Sequence, residues 1–418
     1  MFNTRRKSKS LEIKRSHSDR ANDIRGVNQL AVDAVTGLTD IVEALHYTIL
    51  SLGQNDKDQP TTTRGVTGFV YRNIRNVTAF VGDKIDLSLL QFGSVFGQHE
   101  LSFQREVAIS MLNGVLGDYL LERENPLAVI MQLRRDGKAL SDVALRKLIE
   151  TSDGKILLMV HGLCMNDLQW QVDEHNHGIE LARDLGYEPI YLHYNTGRHI
   201  SENGRDLAAL LQYLVTISPQ PLSLSILAHS MGGLVSRSAF HYGKEAQHTW
   251  LEQVNKMVFL GTPHHGSALE KGGNLIDLLL GSNPYSLPFA KLGQIRSAGI
   301  TDLRYGSIID EDWQGKDRFT YAVDDRRSLA LPNGVHCYTV AAVKGKQSTV
   351  VGDGLIGDGF VNVDSALGRH NDDLRHLTFP EHHQWIGRDM NHMDLLYHPD
   401  VYNKIRHWLQ DDCPHSSN

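Results

Sequence analysis

The chain has 418 residues, 41% hydrophobic and 22% charged, enough to bury one large core beside a smaller region and ordinary for a soluble globular protein. Its net charge of -7 argues against a general nucleic-acid binder. Three cysteines, Cys164, Cys337 and Cys413, cannot all pair and are too widely spaced for a disulfide framework or a metal cluster, which points to a reducing compartment.

The first residues, 1–26, read as a basic disordered leader carrying Arg5, Arg6, Lys7, Lys9, Lys14 and Arg15, without the apolar core of a signal peptide. No run of about eighteen apolar residues occurs, so no transmembrane helix is expected. Residues 27–122 read as a helical region. Val27, Leu30, Ala31, Ala34, Val35 and Leu38 open a first helical stripe; Val66, Phe69, Val70, Ile74 and Val77 form a second; Val107, Met111, Leu112, Val115, Leu116 and Tyr119 form a third. The polar stretch Gly53 to Arg64, with Pro60, is a loop. Amphipathic helices of this kind pack on one another by default. The basic leader keeps peripheral membrane contact through them open. The expected location is cytoplasmic, with that membrane contact as an added option.

From residue 123 to 412 strands and helices alternate. A strand is expected at Ala128 to Leu133, turned by Arg135-Asp136-Gly137. Ser141 caps a helix running through Ile149, and Ile156 to Val160 is a continuous apolar strand. A helix over His177 to Leu185, a strand over Pro189 to Leu192 and a helix marked by Leu207, Leu210, Leu211 and Leu214 follow. Next come a strand at Leu224 to Leu227, a helix at Leu234 to Phe240 and a strand at Met257 to Leu260. The last expected strand is Cys337 to Ala341, and the last helix Val401 to Leu409. Such alternation predicts an α/β fold with a mostly parallel sheet and helices on both faces. The stretch of about 267–331 interrupts it with apolar residues such as Leu278, Leu279, Leu280 and Phe289, and reads equally as a packed helix or as a cap over a binding site.

Between the strand at Leu227 and the helix at Leu234 stands Ala228-His229-Ser230-Met231-Gly232-Gly233. A serine on a sharp strand-to-helix turn is held in a strained conformation, its hydroxyl pushed out at the end of the sheet. Ala228 and Gly232 are small where strand and helix cross closely. A serine hydroxyl needs a base, and the base needs a carboxylate to hold its tautomer. In this architecture the partners follow in the order acid, then histidine. Asp353 and Asp358 both open Asp-Gly pairs downstream, and each pair is equally readable as a plain turn. Among 22 histidines, His382, His383, His392 and His398 lie in range; His392, in a loop shortly before the last helix, is best placed, and His398 belongs with the start of that helix. The oxyanion of acyl transfer needs two N–H donors, expected from Met231 and from Leu163 in the loop His161-Gly162-Leu163-Cys164. Cys164 reads as a small buried hydrophobe. His264 and His265, in Leu260-Gly261-Thr262-Pro263-His264-His265-Gly266-Ser267, have no carboxylate at a ligand spacing, so the loop reads as lining a site rather than holding a metal.

These segments, with Gly357-Asp358-Gly359-Phe360-Val361, resemble the α/β-hydrolase superfamily, in its bacterial lipase and esterase branch with GPI inositol-deacylase-like members. The resemblance covers about residues 150 to 410 and implies Ser230 as nucleophile, His392 as base and Asp358, rather than Asp353, as the acid. Some such relatives bind calcium or zinc, but no matching ligand set stands in this sequence; neither metal nor cofactor is expected. The implied function is a serine hydrolase of carboxylic esters, with an ester or lipid substrate and no nucleic-acid partner. Thioester cleavage or acyl transfer on the same three residues, and a non-catalytic membrane-associated scaffold, are the alternatives.

Overall fold

The computed structural model describes residues 98–267, 296–318, 324–345, 350–351, 354–355 and 357–410. The leader, the first two helical stripes, Asp353 and residues 268–295 of the expected cap lie outside these. The chain forms two compact units, residues 1–102 with 120–128, and residues 103–119 with 129–418. In the first unit the described part is a helix end and the turn after it, where the Leu127 N–H donates to the Asn125 side chain at 2.9 Å.

The second unit is built on an eight-stranded sheet. Helix α1 (Gln98–Glu122) contributes residues 103–119 to it. Strands β1 (Gln132–Arg135) and β2 (Lys138–Ala139) form a hairpin whose two turn residues, Asp136 (φ 50°) and Gly137 (φ 72°), are both left-handed, as a tight hairpin of this twist requires. Helix α2 (Asp142–Thr151) starts on Ser141, whose side chain accepts from the Ala144 N–H. Then follow β3 (Lys155–Val160), α3 (His177–Leu185), β4 (Glu188–His193), α4 (Ile200–Ile217), β5 (Ser223–His229), α5 (Met231–Glu245) and β6 (Val254–Leu260). After α6 (Ala298–Asp302) come β7 (His336–Val343), the small pair β8 (Val350–Val351) and β9 (Gly354–Leu355), α7 (Val363–Ala366), β10 (Gln384–Arg388) and α8 (Pro399–Gln410).

The sheet order is β10-β7-β6-β5-β3-β4-β1-β2, parallel from β10 to β4 and antiparallel at β1 and β2. The central strands are mostly apolar because both faces are covered. Leu157, Met159, Leu227, Val258 and Val340 point to one face, where Leu181 of α3 and Val401, Ile405 and Trp408 of α8 pack on them. Phe259 points to the other, against α5 at Gly233. In register, Val160 lies beside Ala228, Ala228 beside Phe259 and Leu260 beside Val340, so the loops after β3, β5, β6 and β7 leave the same end of the sheet. Ligands of such sheets bind at that end.

One expected strand differs and one strand is additional. The first begins at Gln132 instead of Ala128, because Ala128 is held in a turn by its N–H bond to the Asn125 carbonyl. The sheet does not end at β7: β10 adds a parallel edge strand, and its sequence, Gln-Trp-Ile-Gly-Arg, is half-exposed and lacks the apolar run of a central strand.

The third helical stripe also behaves differently from a separate N-terminal region. Within the second unit, α1 approaches the strand-end loops through glycines: a Cβ on Gly114 would collide with Cys164 Sγ, and one on Gly117 with the Asn195 side chain. Close approach lets polar groups meet. Asn166 Nδ2 donates to Ser110 Oγ at 3.2 Å, Asn195 Nδ2 to the Gly117 carbonyl at 2.9 Å and Ser297 Oγ to the Gly114 carbonyl at 2.6 Å. A buried ion chain joins Glu106, Arg134 and Asp167 at 2.9 and 3.0 Å.

The core is rich in neutral histidines. Desolvation lowers His161 to about 4 and His177 to about 3 from the ordinary 6.5, and puts His229 well below it. His175, His193, His264, His265 and His383 are lowered as well, for the same first reason. Below pH 6.5 the unfolded chain binds protons at these sites and the folded chain does not. Their stabilisation is therefore complete above 6.5 and lost as pH falls toward the folded values, each fully buried ring costing up to about 1.4 kcal/mol per pH unit. Burial raises Asp167, Glu188, Asp302 and Asp312, which opposes the trend, but these are four groups against eight. The melting temperature should fall from pH 7 to pH 5. An equal or higher value at pH 5 would contradict this assignment of buried neutral histidines.

Candidate active site

Strand β5 ends by delivering Ser230 in a backbone conformation, φ 54° and ψ -124°, that a side-chain-bearing residue rarely adopts. Such a residue stores about 1–3 kcal/mol and persists only where its surroundings hold it. Here the Ser230 N–H donates to the Leu260 carbonyl at 2.8 Å, and the Gly233 N–H to the Ser230 carbonyl at 3.1 Å as α5 begins. The crossing is too tight for side chains. A Cβ on Gly232 would stand 2.5 Å from the Val160 carbonyl oxygen, and one on Gly233 would strike Thr262.

Asp358 and His392 meet behind this turn. Asp358 Oδ1 accepts the Phe360 and Val361 N–H groups, each at 2.9 Å, which fixes the carboxylate. Its Oδ2 accepts from His392 Nδ1 at 2.6 Å, a length suited to a charge-assisted bond. Both residues are buried. With Nδ1 donating, Nε2 is the ring's basic nitrogen. His392 lies between the Phe360 ring, 5.1 Å away, and the His229 ring, 4.7 Å away. His229 Nε2 donates to the His392 carbonyl at 3.3 Å, so a histidine kept neutral by burial braces the backbone of the other. Gly261, at φ 58°, passes so close that a Cβ there would lie 2.9 Å from His392 Cε1.

Ser230, His392 and Leu163 line one cavity of about 280 Å3, walled by Met111, Met165, Val172, Leu303, Phe360 and Met393 among others. Ser230 and His392 face it without a direct hydrogen bond between them; such contacts commonly close only around a substrate. The amides of Leu163 and Met231 donate to no group among the described residues.

The structure thus brings Ser230, Asp358, His392, Leu163 and Met231 to one end of the sheet. The other histidines in range serve elsewhere: His383 Nδ1 bonds the Cys337 carbonyl, the His382 carbonyl accepts from Trp408, and His398 accepts the Asp400 N–H at the start of α8. Cys164 stands in the cavity wall at φ 61°, with burial pushing its thiol up to about 12, too high for a nucleophile. The loop after β6 divides its residues. Pro263 and Ser267 face the cavity, whereas His264 contacts Arg237 and His265 Nε2 donates to the Gly368 carbonyl. Among the described residues no group of three or more His, Cys, Asp or Glu is placed to hold a metal ion. Sequence reasoning gave no role to His229, Met111 or Met393. His229 carried a signal, since it directly precedes the nucleophile candidate; Met111 showed only as one member of a helical stripe.

Gly162 tests the fit between the loop after β3 and the turn. A Cβ there would meet Ser230 Cβ and His229 Nδ1, each at 3.0 Å, and must displace them by a few tenths of an ångström. Gly162→Ala should fold, yet label with a fluorophosphonate roughly tenfold more slowly, since small misplacements at reacting atoms are costly. Labelling at the unmodified rate would show that the loop tolerates the shift.

Residues 151–343 match the family model of the PGAP1-like alpha/beta domain. No curated protein matches the chain. Among solved structures it is similar to the Bacillus licheniformis lipase BlEst2 in mature form, at 20% identity over 62% of this chain and 92% of that one, with a TM-score of 0.40. It is also similar to Aspergillus fumigatus lipase B, at 12% over 63% and 56% with 0.37, and to the metagenomic carboxyl esterase MGS0156, at 17% over 57% and 64% with 0.35. Residues 151–343 are thus similar to a PGAP1-like alpha/beta domain, and the mostly parallel sheet is that of an α/β-hydrolase fold.

Proposed function

We propose that this protein hydrolyses carboxylic esters through Ser230, His392 and Asp358. The observation that carries the reading is the 2.6 Å bond from His392 Nδ1 to a carboxylate fixed by two backbone amides, beside a serine on a strained turn at the same cavity. In this reading His392 Nε2 takes the Ser230 proton as the oxygen attacks the ester carbonyl. The amides of Leu163 and Met231 hold the oxyanion. His392 then protonates the leaving alcohol, and water releases the acyl group by the same route. Asp358 keeps the ring oriented and stabilises its positive charge. The apolar wall of the cavity favours an acyl chain over a polar substituent.

Ser230→Ala should abolish fluorophosphonate labelling and hydrolysis of p-nitrophenyl butyrate. Asp358→Asn keeps an acceptor for the two amides but loses the charge and tautomer control, and by the behaviour of such sites its kcat should drop by about 10⁴. Full activity in either variant would sink the mechanism. Faster turnover of an acyl-CoA than of the oxygen ester would move the reading to thioesters.

Peripheral membrane contact through the N-terminal region is proposed on its charge pattern alone. Among the described residues no helix is long and apolar enough to cross a membrane. Replacing Arg5, Arg6, Lys7, Lys9, Lys14 and Arg15 by Gln should release the full chain from anionic liposomes in a sedimentation assay. Equal sedimentation of both proteins would discard the idea.

A further inference from the structure

Besides residues that follow the segment matching the family, 151–343, such as Phe360 and Met393, the cavity has one wall that comes from ahead of it. That wall is Met111 of α1, buried at 4% exposure. Two sides of the cavity can be told apart by chemistry. A leaving alcohol must lie within proton-transfer reach of His392. The side formed by Phe360, Met393 and Tyr397, next to His392 in space or in sequence, therefore borders the alcohol. In that reading the acyl chain leaves the carbonyl carbon away from that side, into the part of the cavity lined by Leu163, Cys164 and Met111. The Met111 carbonyl lies 4.0 Å from Cys164 Sγ, and Gly114, one turn on, admits that cysteine against the helix.

We propose that Met111 sets the length of acyl chain this cavity accepts, an assignment that rests on the ester-hydrolase reading above. The wall is a fixed one. Ser110, beside Met111, accepts from Asn166; Ser297 holds the Gly114 carbonyl; and the ion chain Glu106, Arg134, Asp167 anchors the turn before. A clamped helix cannot retreat from a long chain, so the side chain it presents decides the depth. Methionine is unbranched and adaptable, and a shorter or bulkier residue changes the depth without moving the helix.

The test uses full-length protein with Met111→Ala and Met111→Phe, and compares kcat/KM on p-nitrophenyl butyrate and dodecanoate. The dodecanoate-to-butyrate ratio should rise about tenfold in Met111→Ala and fall about tenfold in Met111→Phe. Met111→Phe keeps the wall apolar and filled, and carries the test by itself if the alanine variant does not fold. Ratios within twofold of the unmodified protein, with Ser230 still labelled by a fluorophosphonate, would overturn the assignment of Met111 and leave the hydrolase reading standing. An unmodified protein that cleaves neither ester and is not labelled at Ser230 would overturn both.

Discussion

The crossing of β5 and α5 over the ends of β3 and β6 is the constraint from which the site follows. Ser230 is kept at a positive φ by the hydrogen bond its N–H donates to the next strand and by glycines that let α5 start almost in contact with the Val160 and His161 carbonyls. The strained residue is costly alone, so the cost must be met by packing around it. That packing is the parallel sheet itself, because the Leu260 carbonyl that receives the Ser230 N–H sits in register with His229 on one side and Val340 on the other. The same register, continued by the parallel pairing of β10 with β7, brings the segments after β7 and β10 together, which is how Asp358 and His392, 34 residues apart in sequence, come within bonding distance.

Charge is handled conservatively near that bond. His229, whose ring lies 4.7 Å from His392, and His161, in the loop after β3, are forced neutral by burial, so neither adds a second imidazolium to the one the proposed mechanism uses. The permanent charges are placed further back, in the chain of Glu106, Arg134 and Asp167, where each is paired.

Much of this was legible because local chemistry and global fold agree. Asn176 and Gly186 bracket α3, Ser141 caps α2, and the apolar runs of β3, β5 and β6 are central strands. The small residues around Ser230 announce the crossing before any coordinates. What was not legible was decided by tertiary contacts. Edge strand β10 has only two adjacent apolar residues and is held by pairing with β7. His229 is one histidine among 22 until the fold sets it under His392. Asp358 and Asp353 open similar dipeptides, and the reason to prefer Asp358 came from resemblance; the two amides that fix its carboxylate are visible only in the folded loop.

Helix α1 carries the argument furthest from the sequence. Its apolar stripe marks it as a helix, but a stripe says nothing about its partner. Gly114 and Gly117 decide that. Glycine weakens a helix interior by about 1 kcal/mol relative to alanine, so two of them three residues apart need a packing reason. Here the reason is the loops at Cys164 and Asn195, which a methyl group would push away. The folding unit consequently extends well before the segment that matches the family. The residues that position the loop after β3 are drawn partly from a helix lying outside that segment. A boundary cut at the first family-like residue would remove this helix, and with it the groups bonded to Asn166, Asn195 and Ser297. Glu106 and Arg134 would go with it, and the buried Asp167 would lose its arginine.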